Sequence, residues 1–179
     1  MRASEPWAVQ HVVKIGGSLL DRPNLSDDLT RWFRRPGDRP TAVIVGGGKV
    51  VDAVRHYERL HPSDDASAVH WRCVSLLDVT HELMSRLMPV WTTGGPVRLM
   101  RVSDVYRPGV GFDAPEDWRT TTDAIAVLIA RHVGAGSVTL LKSCEVPPGL
   151  SAAELARHGI IDPATPPIVS DLDLQIETL

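Results

Sequence analysis

Lysine is scarce in this chain of 179 residues: of its 19 basic residues, 16 are Arg and only Lys14, Lys49 and Lys142 are Lys. Generic surface cations are evidently supplied by Arg. The three lysines are therefore candidates for places that need a compact ammonium where a planar guanidinium does not fit, with chance placement as the alternative. Cysteine is scarcer still. Cys73 and Cys144 are far apart and lack metal-ligand spacing, which excludes a disulfide framework and points to a reduced, cytoplasmic setting. No apolar run approaches the roughly 18 residues of a membrane span. The opening, Met1 to Pro6, lacks the basic-then-apolar layout of a signal peptide. With a net charge of −3 there is no basic surplus for general binding to nucleic acid or to a membrane surface. The Arg31-Trp32-Phe33-Arg34-Arg35 run is explained as well by the end of an amphipathic helix.

Familiar motifs are missing too. No Gly-x-x-x-x-Gly-Lys-[Ser/Thr] loop occurs, since Val43 stands where its first glycine would be, and no Gly-x-Gly-x-x-Gly fingerprint is present. His81-Glu82 is not followed by the second histidine of a zinc site, because position 85 is Ser. No resident metal site is expected.

The remainder is ordinary globular composition, 43 % hydrophobic and 23 % charged, at a length that suits one domain burying about 70 % of its unfolded surface. Residues 9–15, 41–45, 97–102, 137–141 and 172–176 read as strands. Helical spacing runs over 24–35 (stopped by Pro36-Gly37), 49–60, 64–88 with a break near Asp78, and 122–133, while 103–118 reads as loop. Ser151-Ala152-Ala153-Glu154 is a capping box for a short helix ending at Gly159. Strands alternating with helices predict a three-layer αβα sandwich around a mostly parallel sheet.

Two strand ends run into glycines, Gly16-Gly17-Ser18 and Gly46-Gly47-Gly48. In an open parallel sheet, ligands bind beyond the carboxyl ends of the strands. Glycine allows a ligand close to the backbone, and helix-start N–H groups suit phosphate. Either loop alone could be a plain turn. Both together, with Lys14 before the first and Lys49 after the second, point to two phosphate-bearing ligands held face to face.

Val12-Val13-Lys14-Ile15-Gly16-Gly17-Ser18-Leu19 followed by Val43-Ile44-Val45-Gly46-Gly47-Gly48 resembles the opening of the amino acid kinase superfamily, which includes acetylglutamate, uridylate and isopentenyl phosphate kinases. Val51-Asp52-Ala53-Val54-Arg55, His70-Trp71, Asp117 through Ala126, Leu140 through Ser143 and Gly159-Ile160-Ile161-Asp162-Pro163 resemble its aminomethylfuran-methyl phosphate kinase branch, of methanofuran biosynthesis and one-carbon metabolism. The likeness spans about residues 10 to 165.

The resemblance implies direct transfer of a phosphoryl group from ATP, with Mg²⁺ carried by the nucleotide, to a small phosphorylated or carboxylated acceptor. It implies that Lys14, Asp123 and Lys142 are catalytic, Asp123 orienting the lysines. Gly16, Gly17, Ser18 and Ser143 would hold the nucleotide, and Gly46, Gly47, Gly48 and Lys49 the acceptor. From spacing alone, Asp123 is also readable as a helix-start carboxylate, Lys49 as a first-turn solvent residue, and His70 and Trp71 as packing residues. A homodimer through the long central helix is expected. Two departures fall on the nucleotide half. Cys144-Glu145-Val146-Pro147-Pro148-Gly149 replaces an Asp-Gly pair, and the sequence stops at Leu179, where the superfamily continues; a C-terminally shortened version of the fold is expected. The alternative function is a non-catalytic ligand-binding relative, acting as a regulator or complex subunit.

Overall fold

The computed structural model describes residues 7–34, 39–169 and 171–179. The Met1–Pro6 opening and the Pro36-Gly37 helix stop lie outside the described residues. Five strands, His11–Ile15 (β1), Thr41–Val45 (β2), Val97–Leu99 (β3), Ser137–Lys142 (β4) and Asp173–Thr178 (β5), form a sheet in the order β3-β2-β1-β4-β5. Every neighbouring pair is parallel. β1 and β2 are buried along their whole length, and β4 up to Leu141, which explains why their sequences are nearly continuous apolar runs.

Side chains alternate across a strand, so the sheet divides its residues by parity. Val12, Ala42, Ile44, Val138 and Leu140 face one helical layer, with Val74, Leu77 and Ile125 in the same cluster. Val13, Ile15, Val43, Val45 and Leu141 face the other, packed with Leu19, Leu25, Leu29, Met84 and Trp91. The helices are Leu25–Phe33 (α1), Gly48–Leu60 (α2), Ala66–Leu87 (α3), Val102–Val105 (α4), Thr122–Val133 (α5), Ala152–Arg157 (α6) and Thr165–Ile168 (α7). Single 3-10 turns cover Gly17–Asp21 and Pro89–Thr92. The three-layer architecture expected from the sequence is the one observed.

Two helices position the site. α5 is buried at every residue from Thr122 to Ala130, as befits a helix apolar all round, and it stops at Gly134, whose φ of 74° supplies the left-handed cap. α3 begins at Asp65, whose side chain accepts from the Ala68 N–H at 2.9 Å, and runs about 33 Å. The expected break near Asp78 is absent: α3 is continuous over Ala66–Leu87. The reason is tertiary. The Asp78 carboxylate accepts from Ser103 Oγ at 2.8 Å and pairs with Arg101 at 3.3 Å, so it does not compete for its own helix backbone. Those bonds also order the 101–105 segment, where α4 interrupts what reads as loop and β3 ends at Leu99, short of residue 102.

Candidate active site

The chain steps from β1 outward to β2 and β3, then returns to the other side of β1 for β4. That reversal opens a crevice at the carboxyl ends of β1 and β4, where ligands bind in folds of this type. Lys14 lies opposite Leu140 in the β1–β4 register. Lys142 is two residues beyond Leu140, so parity sends both lysines to the face occupied by α5. Asp123, in the first turn of α5, meets them there: Lys14 Nζ donates to Oδ1 at 2.8 Å and Lys142 Nζ to Oδ2 at 2.5 Å.

The bridge is almost dry, with side chains 7 % exposed for Lys14, 5 % for Asp123 and 11 % for Lys142. Burial works to lift the Asp123 carboxyl, and the two ammoniums overcome it, holding it below the usual carboxylate range. Lys142 is pushed below the usual lysine range by burial and then by the charge of Lys14, with Asp123 opposing. One carboxylate thus holds two cations together, and the trio keeps a net positive charge for an incoming anion.

Asp162, buried beside α7, accepts from Thr121 N at 2.8 Å, Thr121 Oγ1 at 2.6 Å and Ala124 N at 3.3 Å through one oxygen, and from Thr165 Oγ1 through the other. Two of these donors are backbone N–H groups at the start of α5, which carries no cap from the Thr121 side chain. Burial, and then the Asp123 charge, raise its carboxyl, against the threonine hydrogen bonds.

The glycine loops meet each other. A Cβ on Gly17 would lie 2.1 Å from Gly48 N, and one on Gly46 would lie 2.7 Å from Gly17 N. Gly16 is as constrained, 2.8 Å from the Leu141 oxygen, to which its own N–H donates at 2.8 Å. Of the five loop glycines only Gly48 has a positive φ, 51°. Their shared requirement is therefore close packing, against backbone at Gly16, Gly17, Gly46 and Gly48 and against the Val51 side chain at Gly47. Gly47 opens α2, whose first turn carries no side-chain cap, leaving its N–H groups suited to an anion. Ser18 and Ser143 bring their hydroxyls within 2.7 Å across the β1 and β4 ends.

Beside this junction lies a cavity of about 260 Å³. Gly17, Ser18, Gly47 and Gly48 form its wall toward the lysines; Val51, Val69, Val74, Leu77 and Ile125 give it an apolar lining. Arg55 is the cation at its rim, its guanidinium 4.8 Å from the Trp118 ring centroid and paired with Asp52. His70 also lines it, buried, with Nε2 at 3.0 Å from the Tyr106 hydroxyl. Burial pushes its imidazole below the usual range, which favours the neutral ring.

The structure thus gathers Lys14, Asp123 and Lys142, sets Ser18 and Ser143 against each other, and packs both glycine loops together. Lys49 stands apart, 80 % exposed and paired with Asp21 at 3.0 Å, outside the residues that line the cavity. Sequence reasoning assigned no role to Arg55, Trp118 or Asp162, although each lay within a quoted motif; nothing in their spacing shows that they converge. Among the described residues, no cluster of three His, Cys, Asp or Glu side chains is placed to hold a metal ion, and no helix is long and apolar enough to cross a membrane.

No protein-family model matches the sequence, and no curated protein matches it. Solved structures do. Uridylate kinase from Archaeoglobus fulgidus superposes with a TM-score of 0.63 at 16 % identity, over 96 % of this chain and 91 % of that one. Aspartate kinase from Synechocystis gives 0.62 at 12 % identity, over 95 % and 38 %. UMP kinase from Ureaplasma parvum gives 0.56 at 10 % identity, over 96 % and 90 %. At these identities the likeness speaks for the fold, and the fold is that of the amino acid kinases.

Proposed function

We propose that this chain is an ATP-dependent small-molecule kinase. The observation that carries the reading is the Asp123 carboxylate bridging Lys14 and Lys142 at the point where the strand order reverses. Direct phosphoryl transfer asks a protein for positioning and charge stabilisation and for little covalent chemistry. An acceptor oxygen attacks the γ-phosphorus, the new O–P bond forms as the bond to the bridging β,γ oxygen breaks, and ADP leaves. Lys14 and Lys142 place positive charge where the equatorial oxygens carry negative charge, and Asp123 holds both ammoniums in place. Ser18, Ser143 and the first loop, with Gly16 and Gly17, are assigned to the nucleotide; the uncapped first turn of α2 at Gly46, Gly47 and Gly48 is assigned to the acceptor. Both Asp123 oxygens are engaged by lysine, which fits Mg²⁺ arriving with the nucleotide, where it offsets phosphate charge.

The acceptor is assigned to the cavity. Its volume suits a small metabolite with an apolar body, and Arg55 at the rim offers a partner for an anionic group. By resemblance of sequence, the acceptor is an aminomethylfuran-type phosphate, converted to a diphosphate in methanofuran-type cofactor biosynthesis; uridylate is the nearest chemical alternative. Val79, Leu83 and Leu87, at four-residue spacing on α3 and exposed, support a homodimer, and we assign the protein to the cytoplasm as a single domain with no nucleic-acid or membrane partner.

Calorimetric titration with Mg-ATP, of the wild type and of Lys14→Ala, tests the reading. Micromolar-range binding lost in the variant supports it and leads to an acceptor screen by ADP release. No binding to the wild type at millimolar ATP overturns it and leaves a ligand-binding subunit or regulator.

A further inference from the structure

We infer that Asp162 is a positioning residue: it clamps the first turn of α5 so that Asp123 stays between Lys14 and Lys142, and it ties that placement to the wall of the cavity. The carboxylate is itself only 7 % exposed, and its bonds divide by function. The oxygen that takes Thr121 N, Thr121 Oγ1 and Ala124 N fixes the backbone on both sides of Asp123. The other oxygen takes Thr165 Oγ1, anchoring the carboxylate to α7. Thr121 lines the cavity. Arg119, two residues earlier, accepts from Ala164 N at 3.1 Å through its backbone oxygen, so segment 117–121 and segment 162–165 are joined on both sides of the clamp. Four donors converging on one buried carboxylate exceed what a helix cap needs, since a single side-chain bond serves at Asp65. A displaced first turn moves Asp123 by a fraction of its hydrogen-bond length, and misplacement of about 1 Å is enough to cost transfer chemistry about a hundredfold.

The scarcity of lysine supplies the test. Protein labelled with ¹³C at lysine Cε gives three signals, from Lys14, Lys49 and Lys142, assigned with single Lys→Arg variants. Asp162→Asn removes a charge that itself favours the ammonium of Lys142, so a change at Lys142 alone is electrostatic. The deciding signal in that variant is Lys14, which we expect to move while Lys49 stays. Thr165→Val keeps the charge and loosens only the anchor; Lys14 and Lys142 should both move in it, by less. Ser151→Ala, which breaks the α6 capping box, is the control that loses stability without moving either signal. A folded Asp162→Asn protein whose Lys14 signal keeps its wild-type position overturns the inference, and if that variant does not fold, unmoved signals in Thr165→Val do so.

The consequence for turnover rests on the kinase reading: kcat falls about a hundredfold in Asp162→Asn while KM for Mg-ATP changes less than twofold. The two failures are distinguishable. A wild type without turnover whose lysine signals still respond to Asp162→Asn overturns the kinase reading and keeps the clamp. Turnover and KM unchanged in a folded Asp162→Asn overturn the clamp and keep the kinase.

Discussion

Gly17 and Gly48 touch backbone to backbone: a Cβ on Gly17 would stand 2.1 Å from the Gly48 nitrogen and 2.6 Å from its Cα. The two loops that follow β1 and β2 are one packed unit, and neither can accept a side chain without parting from the other. Gly17→Ala should therefore cost about 3 kcal/mol of stability by overpacking, measured by urea denaturation. Gly136→Ala, at a position where an added Cβ meets nothing within 4 Å, should change it by less than about 0.5 kcal/mol.

Removing the shared carboxylate leaves two buried ammoniums facing each other. Asp123→Asn should lower stability by about 3 kcal/mol at neutral pH, as expected when one partner of a buried ion pair is taken away. The loss should shrink when Lys142→Met is added, because the second substitution relieves the repulsion. A double-mutant cycle by chemical denaturation measures the coupling, and additive losses would contradict the shared bridge.

At the cavity rim, Arg55→Met should raise KM for a phosphorylated acceptor about tenfold or more, the size of a lost charge-assisted hydrogen bond. Mg-ATP affinity should not change. Steady-state kinetics with each substrate varied in turn separates the two, and an equal effect on both would place Arg55 elsewhere in the reaction.

His11 gives the protein a pH dependence on the side of the sheet away from the lysines. Its ring sits 2.7 Å from Ser137 Oγ and 3.2 Å from Thr139 Oγ1, and burial, then the charge of Arg39, pull its pKa down to about 4. Between that value and the unfolded 6.5, the unfolded chain binds the extra proton, so stability rises with pH through the window and is lost as pH falls through it. The loss should reach roughly 3 kcal/mol by pH 4. His70 and His81 are lowered as well, so the His11 share is the difference in pH slope between wild type and His11→Gln in denaturation series from pH 7 to pH 4.

On α3, Val79, Leu83 and Leu87 are 44 %, 46 % and 40 % exposed. If they form the dimer contact proposed above, Leu83→Glu should halve the mass seen by light scattering while leaving the thermal midpoint of the monomer close to the wild type. A wild type that is already monomeric at tens of micromolar removes the proposal.

Much of this molecule is written locally. β-branched apolar runs at 11–15, 41–45 and 137–141 determine buried strands, because a chain segment apolar on both sides can only be covered on both sides. The capping box at Ser151 and Glu154 forms as its spacing predicts. Lys14 and Lys142 could be singled out because a rare residue type stood at strand ends; Asp123 reads from spacing alone as a helix-start carboxylate, and resemblance to the amino acid kinases is what set it beside them. The tertiary structure decided the rest. Asp78 reads as a helix breaker until Ser103 and Arg101, more than 20 residues away, take its carboxylate. That the two glycine loops pack against each other, Gly17 against Gly46 and Gly48, has no sign in their spacing. Lys49 reads either as an acceptor-binding cation or as a first-turn solvent residue, and the fold turns it to Asp21 and solvent. Asp162 has no reading at all without α5, since its role consists of bonds to backbone groups about 40 residues earlier. Sequence fixes what depends on a residue and its near neighbours; hydrogen-bond partners, burial and the convergence of charges depend on strand order and register, which arise only when the whole chain packs.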